Sequence, residues 1–274
     1  MKKVASNMVS EAYYDEKSTS YDAVFNSLYF KVYDTVTWKY IEPYLPKSPN
    51  AVVLDAAGGT GRWAIRMASK GCKVVLIDNS AGMLKTAAEK TKAEGLQQRV
   101  TLKKGDITKT DYPDETFDMI LCEHALFLFK HPETLLKELR RLAKKQAPLI
   151  ISAQNRYALA LSTILGKPTP VNMETALKML EGKEHLCLGE DGQVKVYTWT
   201  PQEFKNMLEK SGFHVEKIIA KIITMGLRIR KETYMESTYT QELYDKILQL
   251  ELAICEEPDA VGLAGHLQAI TRKT

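Results

Sequence analysis

The stretch best equipped for chemistry runs Val52-Val53-Leu54-Asp55-Ala56-Ala57-Gly58-Gly59-Thr60-Gly61-Arg62. Three apolar residues predict a short buried strand, Asp55 closes it, and three glycines form a turn before a helix-forming run, Trp63–Lys70. Glycines let backbone approach a ligand closely, and amides at a helix N-terminus favour electron-rich groups. The expectation is a nucleotide-type cofactor loop. Two more acids close later apolar runs, Asp78 after Val74–Ile77 and Asp106 after Val100–Lys103. Glu123-His124 follows a fourth run, Phe117–Cys122. With a pKa near neutrality, His124 is either a general base or a hydrogen-bonded histidine capping the strand end. Arg156, beside Tyr157 after a fifth run, is either a bidentate partner for an acidic substrate group or a solvated surface arginine. Arg228 and Arg230 share a face if extended and present the same two alternatives.

The elements that must position these residues alternate. Gly71 suits a C-cap for the first core helix, and Ser80 an N-cap for a helix reaching about Glu94. Pro132 opens a helix with Leu135, Leu136, Leu139 and Leu142 on one face, and Leu149-Ile150-Ile151 is a fifth strand. Continuous apolar strands separated by helices predict a mostly parallel α/β sheet covered on both faces. Before the core, residues 1–12 read as a frayed end. Tyr13–Tyr40 is aromatic-dense and predicts one or two amphipathic helices, with a proline-rich linker over 41–50. After it, 153–199 holds two short helices around Gly166-Lys167-Pro168 and a hairpin turning at Gly189-Glu190-Asp191-Gly192. Thr200-Pro201-Gln202-Glu203 is a capping box opening a helix to Lys210, before a strand Val215–Ile223. A helix Tyr239–Cys255 and a last strand near His266–Thr271 follow.

The chain has 274 residues, is 45% hydrophobic and 26% charged, and carries a net charge of +4. A charge this mild permits an anionic partner without arguing for nucleic acid. Cys72, Cys122, Cys187 and Cys255 form no CxxC pair, and the histidines have no ligand spacing, so neither a metal site nor a disulfide framework is expected. The polar start and the lack of a membrane-length apolar run fit a cytoplasmic protein without a membrane partner.

Two cofactors suit the loop. Gly59-Thr60-Gly61-Arg62-Trp63-Ala64 fits the dinucleotide fingerprint, with Asp78 about 20 residues on, where a ribose-binding acid belongs. Asp55, however, would repel a pyrophosphate. It suits the ammonium and sulfonium of S-adenosylmethionine, with Asp78 accepting from the ribose hydroxyls and Asp106 from the adenine amino group.

Asp55–Gly61, Asp78, Gly105-Asp106 and Phe117-Asp118-Met119-Ile120 together resemble the class I S-adenosylmethionine-dependent methyltransferases, and the Ala-Gly-Gly-Thr-Gly variant is similar to their quinone-biosynthesis (UbiE-type) and type-11 branch. The resemblance implies a Rossmann-like, seven-stranded sheet, its last strand antiparallel between the fifth and sixth. It also implies one domain over 1–274: a helical cover (1–50), a cofactor-binding core (51–152) and substrate lids (153–199 and 228–263). By the same resemblance Asp55, Gly58, Gly59 and Gly61 would line the methionine moiety, Asn79 and Met83 would flank the ribose, and Asp106 and Ile107 would contact the adenine. Glu123 would sit near the sulfonium, with Glu123 and His124 as catalytic candidates, and Tyr14 or Tyr21 would cover the cofactor. Arg156 and Tyr157 lie where substrate enters this class. The turn Lys145-Gln146-Ala147-Pro148 lacks the Pro-Gly-Gly common in the family, which predicts altered geometry there. The layout after the fifth strand, with Glu251, Glu257-Pro258 and Gly265-His266, resembles bacterial tRNA carboxymethoxyuridine carboxyl methyltransferases. A lidded pocket favours a small-molecule or single-group acceptor. A tRNA carboxylate or a protein side chain is the alternative, and an NAD(P)-dependent oxidoreductase or a non-catalytic cofactor-binding protein is a minor one.

Overall fold

The computed structural model describes residues 6–164, 169–182, 186–188, 194–225 and 238–274, the backbone alone at 6–10 and 186–188. Arg228, Arg230, His185 and the expected turns at 166–168 and 189–192 lie outside them.

The sheet is built from β1 (Val52–Ala56), β2 (Lys73–Asp78), β3 (Val100–Lys104), β4 (Met119–Cys122), β5 (Pro148–Gln154), β8 (Phe213–Lys221) and β9 (His266–Lys273). Between β5 and β8 lies a small hairpin, β6 (Leu186–Leu188) and β7 (Val194–Val196). The sheet order is β3-β2-β1-β4-β5-β9-β8, parallel through β5, with β9 antiparallel to both neighbours. This is the expected topology. β4 is shorter than its apolar run suggests, because Phe117 forms an isolated bridge with Ala143 and the Asp118 carboxylate accepts the Val52 amide at 2.9 Å. The glycine-free turn before β5 is closed by Gln146 in a left-handed conformation (φ 59°).

Helices cover both faces. The α5 helix (Pro132–Leu142) buries Leu135, Leu136, Leu139 and Leu142 against one face, together with Phe204 and Leu208 of α8 (Pro201–Lys210). On the other face α3 (Arg62–Ser69) and α2 (Leu28–Lys39) meet, with Trp38 and Trp63 stacked at 6.3 Å. The α4 helix (Ala81–Ala93) is capped by Ser80, whose hydroxyl accepts the Met83 amide. The two short helices after β5 are α6 (Arg156–Ser162) and α7 (Pro170–Leu180), and the late helix is α9 (Gln241–Ile254).

The N-terminal cover differs from the expected frayed end: a helix, α1 (Ser6–Lys17), begins well before Tyr13 and leads to a 3-10 turn, Tyr21–Asn26. The C-terminal part of α1 docks on the start of α4. Asp15 accepts the Ser80 hydroxyl (2.5 Å) and the Gly82 amide (2.8 Å), satisfying donors that a helix start leaves open. Asp22 ties the 3-10 turn down by accepting from Thr60 Oγ1 and Lys90 Nζ, each at 2.7 Å. Among the described residues no helix is long and apolar enough to cross a membrane.

Candidate cofactor and methyl-transfer site

A pocket opens at the carboxyl edge of the parallel strands, where open α/β sheets bind ligands. The turns after β1, β2 and β3 supply Gly59, Asp78, Asn79, Gly105, Asp106 and Ile107 to its wall, and α4 supplies Met83. The segment after β4 adds His124, Ala125, Leu128 and Phe129. Tyr14 of α1 and Tyr21 of the 3-10 turn close it, their rings edge to face at 5.9 Å. The β7 strand lies against α1 and the 126–128 turn, which is pinned by the Tyr197 amide donating to Phe127 O at 2.8 Å.

Backbone sterics explain the loop. A Cβ on Gly58 would lie 2.7 Å from the Asp55 carboxyl carbon and from Leu76 Cγ, so only glycine passes over the buried acid. Gly59 (φ 55°) turns its open side to free space and donates its amide to Asp78 Oδ2 at 2.9 Å. The other Asp78 oxygen accepts the Ser80 amide, also at 2.9 Å. Asp78 is thus fixed at the pocket wall. Burial raises its pKa, and hydrogen bonds from the Ser80, Gly59 and Asn79 amides oppose the rise.

Asp55, Gly58 and Gly61 are not in the wall. Asp55 lies beneath the loop, 1% exposed, and its Oδ2 has no hydrogen-bond partner. Burial lifts its pKa to about 7, against a hydrogen bond from the Ala64 amide, and Asp78 adds to the rise. Gly61 faces α4, where a Cβ would meet Ala87 Cβ at 3.1 Å. An acid held close to protonation under a glycine turn suits a cationic ligand, which would favour the ionised form.

His124 forms part of the wall, and its backbone is left-handed (φ 59°), with the amide donating to Ser152 Oγ at 2.7 Å. Its Nδ1 is sequestered without a partner. Desolvation pushes its pKa down to about 4, despite the adjacent Glu123 charge, so the imidazole is neutral at physiological pH. Glu123 points away from the pocket wall. Its Oε1 accepts from Lys221 Nζ at 2.7 Å and from the Tyr33 hydroxyl. Lys221 and Tyr33 hold it ionised, its pKa below the usual range against the burial penalty.

Arg156 makes the bidentate pairing its guanidinium geometry suits, but with an internal acid. It reaches both Glu203 oxygens (2.9 and 2.8 Å) and Thr198 O (3.0 Å), fastening α6 to the start of α8. Tyr157 beside it is 43% exposed. The sequence reading missed Tyr33, Lys221, Arg62 and Asp15. Arg62 pairs with Asp34 and stacks over Phe25 at 3.7 Å. The recurring Tyr-Asp pairs at 14–15, 21–22 and 33–34 were the available signal, since each supplies either an acid or a ring to the cover's contacts with the core.

Strand-end acids and a glycine turn over a buried carboxylate thus surround a pocket at the carboxyl edge of an α/β sheet. Residues 53–146 match a family described as a methyltransferase domain. The chain is a class I S-adenosylmethionine-dependent methyltransferase. It is 25% identical over 227 residues, 81% of this chain and 79% of the relative, to the tRNA 5-carboxymethoxyuridine methyltransferase of Escherichia coli K12. It is 34% identical over 104 residues, 37% of this chain and 44% of the relative, to the demethylmenaquinone methyltransferase of Lactiplantibacillus plantarum. In fold it is similar to an S-adenosylmethionine-dependent methyltransferase structure from Listeria monocytogenes (TM-score 0.59, 20% identity, 87% of this chain and 96% of that one). The dinucleotide alternative is thereby replaced: S-adenosylmethionine is the cofactor, and among the described residues no acidic, cysteine or histidine cluster could hold a metal.

Proposed function

We propose that this enzyme methylates a carboxylate carried by a modified uridine of tRNA, forming a methyl ester. The observation that carries the reading is the state of the titratable groups beside the pocket. His124, desolvated to a pKa of about 4, is a feeble base, and Glu123 is committed to Lys221. Neither is suited to taking a proton at neutral pH. A carboxylate acceptor has no proton to lose, so the protein's work reduces to alignment and exclusion of water.

Asp78, Asn79, Met83, Asp106 and Ile107 would hold the nucleoside of the cofactor, with Tyr14 and Tyr21 closing over it and the ionised form of Asp55 favoured by its ammonium. The bound cofactor supplies a methyl group already activated by sulfonium. Ala125, Leu128 and Phe129 keep the reacting face apolar, and the neutral imidazole of His124 orients the acceptor oxygen by hydrogen bonding. The match to the tRNA-modifying relative supports the acceptor. An alignment of 227 residues reaches far outside the core of residues 51–152, whereas the quinone-type matches span 104 to 148 residues. The expectation of a small-molecule or single-group acceptor rests instead on a lidded pocket, which a single modified group of a tRNA also satisfies.

The test is labelled methyl transfer from S-adenosylmethionine into tRNA that does or does not contain 5-carboxymethoxyuridine, followed by mild alkali. Label that enters only the modified tRNA and is released by alkali is the expected ester. Alkali-stable label, or transfer to a quinone head group in preference to tRNA, refutes the reading.

A further inference from the structure

Among the described residues, one fully buried cation stands outside the pocket wall. Lys221, the last residue of β8, is 0% exposed. Its ammonium donates to Glu123 Oε1 at 2.7 Å and to Thr37 Oγ1 at 3.1 Å, and lies 4.0 Å over the Tyr33 ring. The Tyr33 hydroxyl donates to the same Glu123 oxygen. Two elements remote in sequence, α2 and β8, therefore converge on one carboxylate. A buried ion pair is a weak source of net stability compared with apolar packing, so its presence asks what it positions.

The next residue answers. His124 keeps a left-handed backbone, which is costly for a residue with a side chain and persists only where the surroundings over-determine it. Here they do. Glu123 is gripped from α2 and β8, and the His124 amide is held by Ser152 of β5. The imidazole is packed edge-on against Phe30, Tyr33 and Phe127 and lies 5.6 Å from the His266 ring.

We infer that Lys221 and Tyr33 are positioning residues for methyl transfer: through Glu123 they hold His124 in its left-handed conformation, with the imidazole fixed in the pocket wall. The inference rests on His124 acting on the acceptor, as proposed above. It couples docking of the N-terminal cover to the geometry of the reacting face, because Tyr33 and Thr37 both belong to α2.

Three variants test it: Lys221→Met, Glu123→Gln and the double variant. Each single variant leaves one buried partner uncompensated and should lower both Tm and kcat, the latter at least tenfold. The double variant buries no charge, so its Tm should return toward wild type. If the pair positions His124, kcat stays at least tenfold down in the double variant while the affinity for S-adenosylhomocysteine stays within twofold. The imidazole carbon–proton NMR cross-peak of His124, identified by its loss in His124→Gln, should also remain displaced. A double variant that regains Tm, kcat and the wild-type cross-peak together overturns the inference, leaving a structural pair only. Should the double variant not fold, Tyr33→Phe removes one hydroxyl and keeps the ring. A displaced cross-peak and a several-fold lower kcat are expected, and wild-type values for both overturn the inference. Lys217→Met, on the same strand but in an exposed pair with Glu256, is the control. The cross-peak needs no acceptor, so a wild-type enzyme inactive on tRNA refutes the acceptor reading separately.

Discussion

Asp55→Asn isolates the electrostatic part of cofactor binding. The Asp55 carboxyl is buried under Gly58 with one oxygen unpartnered, and its pKa is lifted from an ordinary 3.8 to about 7. The folded state therefore prefers the protonated acid. Its contribution to stability is complete below the unfolded pKa and is lost as pH rises through about 7, by at most ~4 kcal/mol from a shift of this size. A cationic ligand reverses the preference. If the ammonium of the cofactor requires ionised Asp55, binding expels a proton below pH 7, and affinity should rise about tenfold per pH unit between roughly pH 5 and 7. His124 titrates below that window, at about 4, and the ligand's own ammonium stays charged within it. The assay is titration calorimetry with S-adenosylhomocysteine from pH 5 to 8, in buffers of different ionisation enthalpy. Wild type should release up to one proton and lose its pH slope above 7. Asp55→Asn should bind more weakly at pH 8, with most of the slope and proton release gone, and any remainder reports Asp78. A wild-type affinity flat from pH 5 to 7 with no proton release would refute the reasoning, because Asp55 would then not be the group the ligand ionises.

Further outcomes follow from the same geometry. Asp78→Ala leaves the Gly59 and Ser80 amides without their acceptor and removes the proposed ribose partner, so S-adenosylhomocysteine affinity should fall at least tenfold by calorimetry; unchanged affinity removes that role. Gly58→Ala drives a methyl into Asp55 and Leu76, and should cost about 1–3 kcal/mol in urea unfolding and abolish tight cofactor binding. Glu251, 0% exposed, accepts the amides of Ile223 and Thr224 and the Thr224 hydroxyl beside left-handed Ile222. Glu251→Ala should cost ~3 kcal/mol in the same assay, since hydrogen bonds to a buried charge are the strong ones; a loss below 1 kcal/mol would show that the turn satisfies itself otherwise.

Much of the core was legible because its signals are local. The β1 strand, the glycine turn and the capped helices α4 and α8 each follow from residues within one turn of each other, and the structure has them within a residue or two of expectation. Boundaries slipped where a distant partner decided them. Phe117 left β4 for Ala143, and α1 gained its footing from Asp15 against the start of α4, which no local pattern in 1–12 announces.

The sequence by itself determined the α/β class, the strand-end acids and the nature of the cofactor, because glycine sterics and charge sign act at short range and leave a spacing that can be read. Only the tertiary structure decided the fates of the long side chains. Arg156, which in isolation suits a substrate carboxylate, is spent on Glu203. Glu123, adjacent to His124 in the chain, turns away from the pocket to meet Lys221, 98 residues on. Asp55 lies under the loop and not along its surface. A buried charge must find its counter-charge wherever the fold brings one, and that partner is set by packing of distant elements, which the local pattern does not contain.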